Sequence, residues 1–559
     1  MTLLAIVACV LTSDQPSIRF TDVTHASGLD AVLSCGRMPS SQIPEVKGGG
    51  FSLIDFDNDG DLDLFMPNGA TLDDPEHGPG ARLFRNDSTT GTPLFKDVTA
   101  ESGIHHTRWS FGSAVGDVDA DGFDDIFIAC FGQDVLLRNR GDATFEDVSA
   151  KSGLAAAERS NEWTTAAAFA DLDGDGDLDL YAVNYLSFDP AHPPSPARFK
   201  GLAVMAGPKG IPAQGDRLFL NRGDGTFVDA TQSSGVGKAN PSYGLNVAIL
   251  DFTGDGKPDI FVANDSQKNF LFVKTGTNPP TFEENGLRAG VATNMEGLEQ
   301  ASMGIAIGDI DGNSRPDVFT TNFSSDTNTL HLNLDGKYFD DRTAQFNLAA
   351  VSRSLLGWAA AFVDFDHDGD EDLLVVNGHV YPQASRAAMD SEYAQRPLLM
   401  ERRGKRFETV TDAGEWKLEP HRDRTAVFAD LDRDGDVDVI IGELNGKLRV
   451  IRNDHTLPSA SAAKDWLIVE PRDLRKGVGN RHAVGAVLTA RSKDAAGKEL
   501  VQRRWAWAGG PFMSNVSPEL HFGFPAGTTE VTLELVWPDG TKDTKERVAL
   551  GERMLWTRQ

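Results

Sequence analysis

Short apolar runs recur along the chain, each entered through an alternating acidic stretch. They read LDLFM at 62–66, DIFIA at 125–129, LDLYAV at 178–183, DIFVA at 259–263, DVFTT at 317–321, DLLVV at 372–376 and DVIIG at 438–442. Runs this short, bounded by Gly, Asp and Pro, predict β-strands. A run of small residues precedes the acidic stretch, as in GSAVG at 112–116, TAAAFA at 165–170, NVAIL at 246–250 and IAIG at 305–308. Two more runs follow it, such as LFRN at 83–86 with FKDVT at 95–99. LFLN at 218–221 and FVDAT at 227–231 are joined through NRGDGTF, whose Asp-Gly suits a type I′ hairpin turn.

The repeating unit is therefore four strands with an acidic loop between the first and second. Seven such units predict an all-β chain, a seven-bladed β-propeller followed by a small β-rich domain. Helical periodicity is nearly absent. The chain opens on an unaccompanied fourth-strand copy, FTDVT at 20–24, and its seventh unit stops at a third strand, LRVIRND at 448–454. The first strand of the chain is thus expected to complete the last blade, hiding two open edges.

Two units carry insertions, a Pro-rich one at 186–216 and one at 378–397 that has room for a short helix. Insertions on a rigid scaffold commonly carry recognition. The expected organisation is a leader at 1–16, a propeller at 17–454, a linker at 455–464 and a β domain at 465–559. That last domain has no acidic loop and holds five of the nine tryptophans. Within it Arg503, Arg504, Trp505 and Trp507 alternate on one predicted strand, making either a cation–π surface or, as favoured here, a strand whose tryptophans face the core.

The leader is apolar from Leu3 to Leu11, which reads as a signal-peptide core and implies export. Ile6-Val7-Ala8-Cys9 also resembles a lipobox, which would acylate Cys9. No later run approaches the ~20 apolar residues of a membrane span. Cys35 and Cys130 are expected either to pair or to be buried free thiols.

The net charge is −30, which disfavours a nucleic-acid partner. The acidic loops explain it. Loop one offers Asp55, Asp57, Asp59, Asp61 and Asp63; loop two Asp117, Asp119, Asp121 and Asp125; loop three Asp171, Asp173, Asp175, Asp177 and Asp179. Loop four offers Asp251, Asp255 and Asp259, and loop five Asp309, Asp311, Asn313 and Asp317. Loop six offers Asp364, Asp366, Asp368, Asp370 and Asp372, and loop seven Asp430, Asp432, Asp434, Asp436 and Asp438. Aspartates at the odd loop positions number 30, equal to the net charge.

Carboxylates this close repel one another without a counter-charge. Hard oxygen donors on a glycine-bent loop predict Ca²⁺, at five to seven sites. Positions 1, 3, 5 and 9 are expected to ligate through side chains and position 7 through its carbonyl. An EF-hand is excluded, because loop position 12 is apolar or small in every copy (Met66, Ile128, Ala182, Val262, Thr320, Val375, Ile441). Thr253 in loop four and Asn313 in loop five predict weaker binding there.

These units resemble FG-GAP/VCBS repeats, the calcium-bearing blades also found in integrin alpha-subunit heads. NRHAVGAVL at 480–488, WAGGPFMSNVSPELHFGF at 507–524 and VTLELVWPDG at 531–540 resemble the ASPIC/UnbV domain. The combination is similar to the cartilage acidic protein family. That resemblance implies a secreted or envelope-exposed, calcium-stabilised binding protein.

No GxSxG, HExxH or phosphate loop occurs, and the twelve histidines are scattered, with His105-His106 the one adjacent pair. Residues just before the first strands, Arg108, Trp109, Glu162, Trp163, Tyr243, Met303, Trp358 and Arg424, are expected at the end of the ring away from the acidic loops. They form either a ligand pocket or inter-blade packing. The function expected is a non-enzymatic, monomeric module binding an extracellular or envelope protein or glycan. The alternatives are a polysaccharide-acting enzyme using the channel, or a purely structural envelope protein.

Overall fold

The computed structural model describes residues 18–155, 159–455 and 465–559. The expected leader, with the lipobox at Cys9, lies outside them, as does the linker beyond His455. Seven antiparallel sheets, each built on four strands, follow one another along the chain, with extra strands added to the fourth and the last. Their first strands are Ser52–Ile54, Ser110–Gly116, Thr164–Ala170, Gly244–Leu250, Ile305–Gly308, Gly357–Val363 and Asp423–Ala429. Each touches the next around a common axis, and small residues such as Ala166, Ala167 and Ala168 let them converge there.

The ring closes as expected. Phe20–Asp22 pairs antiparallel with Gly446–Asn453, Phe20 opposite Asn453. The chain's first described strand thus becomes the outer strand of its last blade. Apolar clusters fill the spaces between neighbouring blades; Leu53 and Leu64 of the first meet Val427 and Ile440 of the seventh.

An asparagine at the end of the third strand staples each of five blades to its predecessor. The Nδ2 of Asn139 donates to Phe56 O (2.8 Å), Asn221 to Val118 O (2.8 Å) and Asn333 to Phe252 O (2.8 Å). Asn453 donates to Phe365 O (3.0 Å), and Asn86 donates to Leu431 O (2.9 Å), spanning the closure. Lys274 and Arg402 occupy the corresponding position in the fourth and sixth blades.

The C-terminal domain pairs Val487–Lys493 with Glu499–Trp505 and Thr529–Val536, with Lys542–Val548 at one edge. A second sheet sets Trp466–Asp473 between Leu520–Gly523 and Glu552–Arg558. Leu488, Leu533, Phe522 and Trp537 form its core.

This domain docks on the acidic-loop face of the ring, and it inserts a segment into the channel. Ala508–Gly509 pairs with Ala248 and Ile249 on the inner strand of the fourth blade. Beyond it, Asn246 Nδ2 donates to Gly510 O (2.9 Å), Ile305 N to Pro511 O (3.0 Å), Phe51 N to Ser514 Oγ (3.0 Å) and Leu53 N to Asn515 Oδ1 (3.0 Å). Phe512 and Met513 are fully buried. Gly50 is there because a Cβ would stand 1.8 Å from Met513 O. Trp505 is buried, but against the fourth and fifth blades rather than in the domain's own core.

The far end of the channel is closed too. Residues 43–47 enter it as a short 3-10 turn, Ile43–Val46, with Lys47 beneath. Above lie the two insertions, which touch each other: Lys200 Nζ donates to Met389 O (2.7 Å), and the Phe199 and Tyr381 rings are 5.8 Å apart. The first insertion forms a hairpin, Ala197–Phe199 with Leu202–Val204; the second holds a 3-10 turn at Ala387–Met389. Cys35 and Cys130 are unpaired and buried, and burial pushes the Cys35 thiol up to about 12.

Candidate metal centres

Each acidic loop is a tight turn joining the first and second strands, and its ninth aspartate ties the loop to the sheet. In loop two, Asp125 accepts Val118 N (3.0 Å) on one oxygen and Asn139 N (2.8 Å) on the other. Asp63, Asp179, Asp317, Asp372 and Asp438 repeat this pair of bonds. The first aspartate accepts the N–H of position six, as Asp117 does from Gly122 (2.9 Å) and Asp430 from Gly435 (3.1 Å). Position four needs a left-handed backbone: Asn58, Ala120, Gly174, Gly254, Gly312, His367 and Arg433 all have positive φ.

This geometry brings positions 1, 3 and 9 together. One oxygen each from Asp55, Asp57 and Asp63 lie within 4.8 Å of one another, as do those of Asp117, Asp119 and Asp125, of Asp171, Asp173 and Asp179, and of Asp309, Asp311 and Asp317. Position 5, expected to ligate, is not part of these four groups. Its carboxylate instead accepts the N–H of position 7, as Asp59 does from Asp61 (2.9 Å) and Asp175 from Asp177 (2.9 Å).

The donors fit a hard cation. They are all oxygens, and several are buried without a hydrogen-bond partner: Asp55 Oδ1, Asp57 Oδ1, Asp309 Oδ1, both oxygens of Asp432 and Asp434 Oδ2. Desolvation, reinforced by neighbouring carboxylates, pushes Asp125, Asp179 and Asp317 up to about 8 and Asp117 up to about 7. A metal-free loop thus holds charge at a cost that a cation would remove. Loops four and five make contacts of their own. Lys257 Nζ pairs with Asp255 (2.8 Å), and Asn313 spends its amide on Asp311 (3.1 Å) and Asn333 O (2.9 Å).

Basic side chains of the C-terminal domain meet the loops. Arg553 pairs with Asp430 (2.9 Å), His482 with Asp124 (2.7 Å) and Arg504 with Glu371 (3.5 Å). Arg503 Nη1 donates to Ser314 O (2.8 Å), and Arg481 donates to Gly122 O. The sequence signal for this contact was that residues 460–559 hold 15 basic against 12 acidic residues in a strongly acidic chain; no motif marked the individual partners.

The residues proposed for a ligand face separate into two sets. Trp109, Trp163, Trp358 and Arg424 are fully buried, and Tyr243 and Met303 nearly so. They are packing, and the pocket reading is corrected for them. Arg424 stacks on Trp358 (4.3 Å) and donates to Val46 O (2.6 Å); Trp358 packs edge-on against Phe512 at 5.0 Å. The channel is filled by residues 43–47 and 508–516, so these side chains face the protein's own chain. Arg108 and Glu162 instead line an open depression of about 570 Å³ with Glu76, Gln133, Phe131 and Phe188.

Comparison with known families agrees with the repeat geometry. The FG-GAP-like repeat model matches residues 55–128, 117–182, 204–262, 251–320 and 309–375; four of the five spans run from one acidic loop to the strand after the next, and the span at 204–262 begins within the first insertion. The chain belongs to the FG-GAP-like repeat family. Its last part, residues 477–558, matches the ASPIC and UnbV model. Cartilage acidic protein 1 of Mus musculus is 26% identical over 524 residues, covering 88% of this chain and 70% of that protein. The Xenopus tropicalis protein of the same name is 24% identical over 530 residues, covering 90% and 72%. A solved Agrocybe aegerita lectin, described as recognising non-reducing terminal N-acetylglucosamine, aligns at 16% identity with a TM-score of 0.38, covering 70% of this chain and 85% of that one. At that score the likeness carries no weight for the ligand of this FG-GAP protein. Among the described residues no helix is long and apolar enough to cross a membrane.

Proposed function

We propose that this protein is an exported, calcium-stabilised binding module for a protein or glycan, without enzymatic activity. The observation that carries this reading is the filling of the channel from both ends by the protein's own segments. The axial position that a channel-type active site would use is taken, which leaves recognition to outer surfaces. Positions 1, 3 and 9 of the loops would hold the calcium ions. Bound calcium would supply the counter-charge that lets the loops hold their strands in register. Family likeness to cartilage acidic protein 1 and the apolar leader support an extracytoplasmic location.

The depression around Arg108 has the polar and aromatic lining that a sugar or short peptide needs. Arg108 pairs with Glu76 (2.9 Å) at its rim and is half-exposed, so its substitution spares the core. The test is glycan-array and peptide-library screening of the calcium-loaded full chain beside Arg108→Glu. A retained ligand lost at least tenfold in Arg108→Glu, with unchanged melting, supports the reading. Turnover of a polysaccharide with no retained ligand would support the enzyme instead, and equal binding by Arg108→Glu would move the site elsewhere.

A further inference from the structure

The twelve histidines are scattered in the sequence, but three of them meet where the C-terminal domain joins the ring. His367 is position four of loop six, His455 follows the last propeller strand, and Asp465 opens the C-terminal domain. One donor atom from each of these three lies within 4.8 Å of the other two. His367 Nδ1 is 3.1 Å from Asp465 Oδ1, and the His367 and His455 rings are 4.8 Å apart. His521 stands beside them, its ring 5.1 Å from that of His367.

The surroundings ask for more than one histidine–carboxylate hydrogen bond. The His367 side chain is fully buried, and its Nε2 has no hydrogen-bond partner, the closest acid being Asp436 at 3.5 Å. His521 Nε2 is spent on Gly435 O (3.0 Å), while its Nδ1 is buried without a partner. Two imidazoles and a carboxylate form a nitrogen-rich donor set, unlike the all-oxygen loops. That chemistry selects Zn²⁺ or a similar transition ion over Ca²⁺. Position four in the other loops is Asn, Ala, Gly or Arg, so histidine there is particular to loop six.

We propose that His367, His455 and Asp465 form a transition-metal site that fastens the C-terminal domain to the propeller. The ligands come from loop six and from both ends of the connecting segment. A bound ion would hold the domain entry at Asp465 against loop six of the ring. Its donors differ from those of the calcium sites, although His367 belongs to loop six.

The test uses the full chain without a histidine tag, saturated with calcium, and titrates Zn²⁺ by calorimetry. One equivalent is expected to bind, with affinity falling at least tenfold in His455→Ala. His455 is only partly buried, so that variant keeps the core intact. His367→Asn, which retains a residue tolerant of left-handed backbone, is expected to lose the site as well. Co²⁺ in place of zinc should give a visible d–d absorption that both variants lack. The proposal is overturned if calcium-saturated protein takes up no zinc, or if His455→Ala and Asp465→Asn bind it as tightly as the unaltered chain.

Discussion

Gly50 has no positive φ to protect, so alanine suits its backbone. The obstacle is the inserted segment. An added Cβ would lie 1.8 Å from Met513 O, 2.2 Å from Met513 C and 2.8 Å from Ser514 N, all backbone atoms. Overpacking a filled interior costs ~1–3 kcal/mol, and obstruction by backbone puts Gly50→Ala at the upper end. Ejecting the segment outright would cost more. Four hydrogen bonds, from Asn246, Ile305, Phe51 and Leu53, would be lost at ~1 kcal/mol each. Phe512 and Met513 would be exposed at ~1.5–3 kcal/mol each. The variant is therefore expected to keep the segment inserted but strained, weakened by about 3 kcal/mol. Hydrogen–deuterium exchange at the Phe51, Leu53 and Ile305 amides reads this directly. At 1.4 kcal/mol per decade, exchange there should speed up roughly a hundredfold. Gly207→Ala is the control, because nothing lies within 4 Å of its added Cβ. If Gly50→Ala exchanges no faster than Gly207→Ala, the channel does not hold the segment as described.

Three further outcomes follow from named contacts. Asn139→Ala removes the staple to Phe56 O and leaves that buried acceptor unpaired, so denaturant unfolding should show a loss of ~1–3 kcal/mol; an unchanged midpoint would dismiss the staple. Lys47→Met strips the buried partner from Asp265 (3.1 Å), which also accepts Tyr185 OH (2.5 Å), and should destabilise by ~3–5 kcal/mol, with Lys47→Met/Asp265→Leu recovering most of it. Burial and Arg472 push His482 down, but Asp124 and Glu470 outweigh them and hold it above its ordinary 6.5. Its contribution to docking is then complete below pH 6.5 and is lost as pH rises through the raised value. Exchange at Asn480 N, which bonds Gly176 O of loop three (3.1 Å), should quicken between pH 6 and pH 9 in the unaltered chain, after correction for intrinsic rates, and show no such slope in His482→Gln.

The blades were legible because their grammar is local. Strand length, the acidic turn and the Phe of the fourth strand all sit within one unit, and FTDVT at 20–24 marked the strand that completes the last blade, where the structure sets Phe20 opposite Asn453. The acidic turn itself was legible for the same reason; that it gathers positions 1, 3 and 9 in four loops and leaves position 5 out of those groups depends on which way the turn aims each carboxylate. Contacts between units were not. The asparagines of LFRN and LLRN looked like strand ends, and nothing nearby in sequence names Leu431 or Phe56 as their partners. Trp109, Trp163 and Trp358 lie away from the acidic loops, but Trp109 and Trp163 pack with Phe111 and Phe131 of the neighbouring strands, while Trp358 meets Phe512 from the end of the chain. An aromatic ring at a channel mouth looks the same in sequence whether a ligand or Phe512 covers it. The meeting of His367, His455 and Asp465 depends on domain docking, which charge alone only suggested.

The account rests most on the acidic loops being cation sites that hold the scaffold. Equilibrium dialysis of the full chain against Ca²⁺, with a thermal scan before and after chelation, measures that claim. The account predicts five to seven ions per chain, a marked fall in melting temperature on chelation and its recovery when calcium is restored. Binding of one ion or none, or a melting curve indifferent to chelator, would contradict it.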